Sequence, residues 1–489
     1  MLFNSHIFIL LFLPLLLAGW YFLNWKKKFQ LAQGYLIGMS LWFYAYANLQ
    51  YLWLLLFSCL IGWLLSCLPE KISSEKGKKV LTGVGCVFHL GLLGYFKYSN
   101  FLLENLNTVF HTDFPMLQIL LPVGISFYTF QQLAYLIDRC RGDAPRDSFF
   151  DYLTFMVYFP QLLQGPILLR SEFMGQLKEP ERRRFHAERF SEGIQFFVFG
   201  LAKKVLLADT LAKAVNYGYS NVSMLDSISA LLLAVGYLTE LYFDFSGYCD
   251  MAVGLGKMIG LEVAENFDAP FHSASVKEFW RRWHMTLGRF FTRYVYIPLG
   301  GNRKGKMRTL CNVMIVMLFS GLWHGAAWTF VLWGFLHGVG MVWDNLEHPH
   351  LPKKWMRQAA TFAYVCMTFV FFRAESIAQG VDVLKSIVSL KWNGFVFQMA
   401  SALDMTECYM ITKALSMKLP GLLSWFWLGI FVVLIAICFR VLSGEKVSGV
   451  VALQRQKGYG RLYPVLLAVL FTWSMISMTG VSEYLYFSF

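Results

Sequence analysis

Apolar runs of membrane-spanning character recur from one end of this chain to the other, more of them than a soluble fold could bury. They cover residues 7–23, 36–47, 52–67, 80–95, 117–136, 194–202 and 228–243, then 313–319, 326–342, 360–372, 422–439 and 465–478. Lipid is therefore the solvent to reason with. Composition agrees: 57% of residues are hydrophobic and 15% charged, where a soluble protein carries about 25% charged. These runs predict an all-α, polytopic membrane protein with about 11 or more transmembrane helices. Several runs are shorter than the roughly 20 residues a spanning helix needs, so re-entrant or interfacial helices are expected too. No internal repeat or low-complexity linker divides the sequence, which reads as one polytopic domain over 1–489.

The formal net charge of +13 is mainly a topology signal. Lys26, Lys27 and Lys28 follow the first apolar run, and no basic region precedes it. This layout is not that of a signal peptide, and it favours an extracytoplasmic N-terminus. Alternation then puts the lysines of 71–79 and the "ERRR" run of 178–189 in the cytoplasm, and the Lys- and Arg-free stretch 100–114 outside. Because the basic clusters sit in separate short loops, a nucleic-acid partner is not expected. The nine cysteines are scattered, mostly in apolar runs, with no C-x-x-C pair. That excludes a disulfide framework or a zinc site of usual spacing.

Polar residues inside apolar segments are the informative ones, since a charge at a span's centre costs about 2.5–3.5 kcal/mol on insertion scales. Four stretches meet this test. Residues 121–139 embed Ser126, Tyr128, Gln131 and Gln132. "YFPQLLQGPI" (158–167) has two prolines bracketing two glutamines, which argues against a continuous helix. "YFDFSGYCDM" (242–251) is expected to end an apolar helix with Asp244 and Asp250. The fourth is the region 279–345, with "FWRRWHMTLGRFFTRYVYIPLGGNR" and then "SGLWHGAAWTFVLWG".

In that fourth region arginines alternate with aromatic rings, a pattern that suits the membrane interface or a phosphorylated ligand. Pro298, Gly300 and Gly301 stop the helix, and a basic turn follows. His324 then stands deep in an apolar run. An ionisable residue there usually marks a site, and Gly321 and Gly325 beside it permit close approach of a backbone or ligand. Taken on one continuous helix, His337 lies 13 residues on, about 220° around from His324; it is assigned to packing. His284 is open between interfacial hydrogen bonding and a site role. Metal catalysis by His284, His324 and Asp244 is a weak alternative and no metal is expected, because no H-E-x-x-H or close ligand pair occurs; nor does any G-x-S-x-G, P-loop or G-x-G-x-x-G signature.

These residues resemble the membrane-bound O-acyltransferases, in particular the bacterial branch that contains the alginate O-acetylation membrane subunit. The likeness is dense over 121–345. It runs through "LPVGISFYTFQQLAYLIDRCRG", "GLAKKVLLADTLA", "YFDFSGYCDMAVGLGKMIG", "ENFDAPF", "FWRRWHMTLGRFFTRYVYIPLGGNR" and "GLWHGAAWTFVLWGFLHG". The resemblance implies helices around a central tunnel, a catalytic histidine at His324 and a second functional histidine at His284. It also implies an acyl-CoA path along which Arg281, Arg282, Trp283, Asn302, Arg303, Trp323, Asp244 and Gln131 are candidates. The expected activity is O-acetylation of a cell-surface polysaccharide from cytoplasmic acetyl-CoA, with no other cofactor. The expected partner is an extracytoplasmic acetyltransferase or esterase-like protein, and the expected location the bacterial inner membrane. D-alanyl transfer to teichoic acid ranks second. A proton-coupled transporter would use His324 as a relay, and a non-catalytic export scaffold would not turn over a thioester.

Overall fold

A computed structural model of the chain describes residues 1–346, 353–442, 446–457, 460, 462–478 and 484–485. Among them the secondary structure is helical, with no strand, as the apolar periodicity requires. Five helices are long and apolar enough to cross a membrane: Phe8–Trp25, Leu49–Glu70, Glu75–Phe110, Ser227–Ile259 and Pro420–Leu442. Phe29–Asn48, Lys306–His324, Trp328–Asn345 and Lys354–Arg373 have similar lengths, 18 to 20 residues, with more polar sequences. The protein is a multi-pass membrane protein of the expected class.

The described chain forms two compact units. The first comprises residues 1–198, 249–266 and 286–298; the second comprises 199–248, 267–285 and 299–489.

In the first unit Phe3, Phe8, Phe12, Phe43 and Phe159 form an aromatic cluster with ring centroids 5.0–6.3 Å apart. Such offset and edge contacts are favourable beyond the area they bury. The two-proline stretch behaves as its sequence demands. Only Phe159–Leu162 is helical there, and residues 154–168 are buried throughout. Irregular backbone at this depth is tolerated only inside protein, and its polar groups find partners: Tyr158 Oη donates to Leu261 O at 2.9 Å, and Ile167 N–H to Thr286 Oγ1 at 3.1 Å. Ion pairs lace the same unit, Arg139 to Glu70 (2.6 Å), Arg293 to Asp138 (2.9 Å) and Arg289 to Glu172. Two of the interleaved arginines, Arg289 and Arg293, thus already have carboxylate partners.

In the second unit the helices Lys306–His324 and Trp328–Asn345 make a tight hairpin. Glycine sets its closeness. A Cβ on Gly321 would run into Phe330 O, and one on Gly334 would lie 2.5 Å from Met317 O. The approach foreseen at Gly321 is that of a neighbouring backbone.

Three local expectations need correction. The "YFDFSGYCDM" stretch does not end a helix; Asp244 sits near the middle of the 33-residue helix Ser227–Ile259. A carboxylate can lie inside a buried helix when a partner offsets its desolvation, and here one does, as described below. Nor is the histidine segment one continuous helix. The chain turns extended at Gly325 (φ −160°, ψ 154°) and Ala327 (φ −149°, ψ 154°), so the angle drawn between His324 and His337 has no meaning. Finally, the helix that was expected to run on to Pro298 already breaks at Trp283–His284.

Candidate functional site

His324 is the last residue of its helix. It is 4% exposed, and three aromatic rings wall its imidazole: Trp323 at 5.0 Å, Trp333 at 5.1 Å and Phe372 at 5.2 Å between centroids. Gly325 matters at this corner because a Cβ there would collide with the Phe330 ring.

His284 is 1% exposed and lies in the left-handed region at φ +46°. For an L-residue that conformation costs about 1–2 kcal/mol, and such strain persists only where the surroundings impose it. Its ring stands edge-on to Phe245 at 4.8 Å and 6.2 Å from the Trp323 ring. The two histidines singled out in the sequence therefore both lie against one indole. Trp283 contributes a wall rather than a polar group, stacking on Phe279 at 5.3 Å and meeting Phe369 at 5.4 Å.

His337 is a packing histidine, as assigned, although the helical-angle argument was not the reason. Trp280 Nε1–H donates to its Nδ1 at 3.2 Å, and its Nε2 is 2.9 Å from Thr368 Oγ1. Because the Thr368 hydroxyl donates to Val365 O, it is placed to accept from Nε2–H. Both ring nitrogens are occupied.

Asp244 is 1% exposed and forms a 2.6 Å ion pair with Lys204, which also pairs with Asp209 at 2.8 Å. The backbone N–H of Leu485 donates to the second Asp244 oxygen at 3.1 Å. This carboxylate is engaged in structure. Lys204 was not singled out from the sequence. The signal was there, an acid and a base in two separate apolar helices, but pairing them needs tertiary information.

The remaining candidates divide. Arg282 is tied to Glu278 at 3.0 Å and to Asp268, whereas Arg281 is exposed, as are Asn302 and Arg303. The turn carrying the latter two has left-handed glycines at Gly300 and Gly301, and buried Asn312 ties it to the base of the His324 helix by donating to Gly301 O at 2.9 Å. Gln131 is buried in the first unit, on Ile125–Arg141. Among the described residues no three His, Cys, Asp or Glu side chains converge to hold a metal ion. What remains is imidazole chemistry in an aromatic enclosure, suited to moving a proton to or from a reacting group.

Known proteins share this sequence over most of its length. The profile of the MBOAT, membrane-bound O-acyltransferase family, matches residues 145–380, a span that holds both histidines. A peptidoglycan O-acetyltransferase of Helicobacter pylori is 35% identical over 423 residues, 80% of this chain and 80% of that protein. A probable alginate O-acetylase of Azotobacter vinelandii is 39% identical over 389 residues, 77% of this chain and 76% of that one. A teichoic acid D-alanyltransferase of Streptococcus thermophilus is 28% identical over 253 residues, 49% of this chain and 58% of that one. Similarity of this extent across the helices that carry the candidate site leaves one conclusion: the chain belongs to the membrane-bound O-acyltransferase family and is an O-acyltransferase.

Proposed function

We infer that the chain takes an acetyl group from cytoplasmic acetyl-CoA and passes it across the membrane for O-acetylation of a cell-surface or secreted polysaccharide of the alginate, cellulose or peptidoglycan kind. The observation that carries this reading is that His324 and His284 both lie against the Trp323 ring, at 5.0 and 6.2 Å between centroids, in a chain whose similar relatives are named as O-acetylating alginate and peptidoglycan. His324 acts as general base. It takes the proton of the attacking hydroxyl as the new C–O bond forms, and returns it to the departing thiolate as the C–S bond breaks. His284 assists in a role secondary to it. D-alanyl transfer is second, because the likeness to that enzyme is weaker and covers half of this chain.

The donor is a polyanion that a low-dielectric layer excludes, so only its acyl end need enter. Exposed Arg281, Asn302 and Arg303 are the side chains offered to its phosphates, while the engaged Arg282 supports the fold. The bilayer in question is the bacterial cytoplasmic membrane, with Lys26–Lys28 inside and the N-terminus outside. Single cysteines at Lys27 and Lys78, in a background lacking reactive thiols, should resist an impermeant maleimide in intact cells. Labelling of either overturns the orientation at that loop.

A polymer is too bulky to reach a histidine enclosed by three aromatic rings, so a partner side chain collects the acetyl group. The expected partner is an extracytoplasmic acetyltransferase or esterase-like protein. Purified chain given acetyl-CoA should hydrolyse the thioester slowly at most, and addition of that partner should start polymer acetylation. Efficient acetylation by this chain alone sinks the relay. No thioester turnover under any condition sinks the acetyl-CoA reading.

A further inference from the structure

The left-handed backbone at His284 requires something to hold it, and the three consecutive residues Asn266, Phe267 and Asp268 each touch the chain beside it. Asn266 is buried, and its Oδ1 accepts from both the N–H (3.1 Å) and the hydroxyl (3.0 Å) of Thr286. That hydroxyl in turn accepts from Ile167 N–H at 3.1 Å. Phe267 meets the Trp283 ring edge-on at 5.2 Å, and also Phe245, the ring that faces His284. Asp268 holds the other side, where its N–H donates to Arg282 O at 2.9 Å and its own O accepts from Arg282 Nη1 at 3.2 Å. The anchored positions, 282 and 286, stand two residues before and two after His284. The segment Asn266–Asp268 continues into Ala269, which is left-handed too at φ +45°.

We propose that Asn266 is a positioning residue for His284: through Thr286 it fixes the backbone that turns the imidazole toward Trp323. Neither Asn266 nor Thr286 touches a reacting group; both are polar and buried, and beyond their mutual bonds Asn266 Nδ2 donates to Cys249 Sγ at 3.4 Å while the Thr286 hydroxyl accepts from Ile167 N–H. A buried amide whose acceptor takes two bonds from one residue specifies that residue's place more tightly than apolar packing would. The proposal rests on the reading of His284 as a functional position, and its test keeps the two apart.

The measurement is carbethoxylation of individual histidines by diethyl pyrocarbonate in the purified full chain, followed by mass spectrometry, beside the kcat and KM of acyl transfer. Asn266→Ala removes the acceptor, and Thr286→Val removes the hydroxyl; Thr286→Ser keeps every bond of the clamp. Local opening should raise the labelling rate of His284 roughly fivefold or more in the first two variants. The serine variant should stay at the wild-type rate. His337, buried with both nitrogens engaged, is the control for global loosening and should not change in any of them. In the first two variants kcat should fall while KM is kept. Unchanged His284 labelling in both Asn266→Ala and Thr286→Val overturns the proposal, as does a parallel rise at His337. Raised His284 labelling with undiminished kcat upholds the clamp and overturns the functional role of His284.

Discussion

Replacing His324 with alanine is expected to abolish acyl transfer while the protein stays inserted and monodisperse. The imidazole is buried at a helix end within 5.0–5.2 Å of three aromatic rings, and none of those three rings could replace it as a base. A positioned general base contributes about 10²–10⁴-fold, so the residual rate should be about one per cent or less. The measurement is transfer of labelled acetyl to polymer in membranes containing the partner, with the variant's elution profile from size exclusion as the folding control. Retention of more than a few per cent of activity removes His324 from the base role. His284→Ala should be milder or comparable; its ring is one indole further from that corner.

The second large effect is on stability. Lys204→Met leaves Asp244 and Asp209 facing an apolar side chain. Asp244 is 1% exposed, so water cannot take over the lost 2.6 Å partner. Removing one member of a buried pair costs about 3–5 kcal/mol, whereas removing both members together is often close to neutral. Lys204→Met should therefore lower the unfolding temperature in detergent sharply. Asp244→Asn should be milder, since Lys204 keeps Asp209 at 2.8 Å, and the double variant should recover much of the loss. A Lys204→Met protein as stable as wild type would show that the pair adds nothing to the fold.

Much of this architecture was legible from residue order. Spans follow from apolar runs, the broken stretch at 158–168 from two prolines, and the buried His324 from its surroundings. Gly321 announced a close approach. What was hidden depends on the sign of one dihedral angle or on a distant partner. Nothing in "RRWHM" states that His284 takes φ +46°, because the residues that impose it lie about twenty positions earlier. Nothing in "YFDFSGYCDM" states that a lysine 40 residues before Asp244 neutralises it, and without that the acid looks like a helix end. Arg289 and Arg293 read as cations for the membrane interface or a phosphate until Glu172 and Asp138 are found opposite them. Local pattern reports burial well, and it reports pairing poorly.

The glycine hairpin bears on how such an enzyme can diversify. At Gly321 and Gly334 main chain lies against main chain, so while those glycines stay, the corner carrying His324 is located by peptide atoms rather than by side chains. The rings around the imidazole belong to side chains: Trp323, Trp333 and Phe372. Reshaping that enclosure, larger or smaller, leaves the His324 main chain where it is. On the proposed role of His324, acyl-group preference and proton transfer would thereby be written in separate parts of the molecule. A lineage can trade one acyl group for another by single steps, without passing through a form whose histidine has moved.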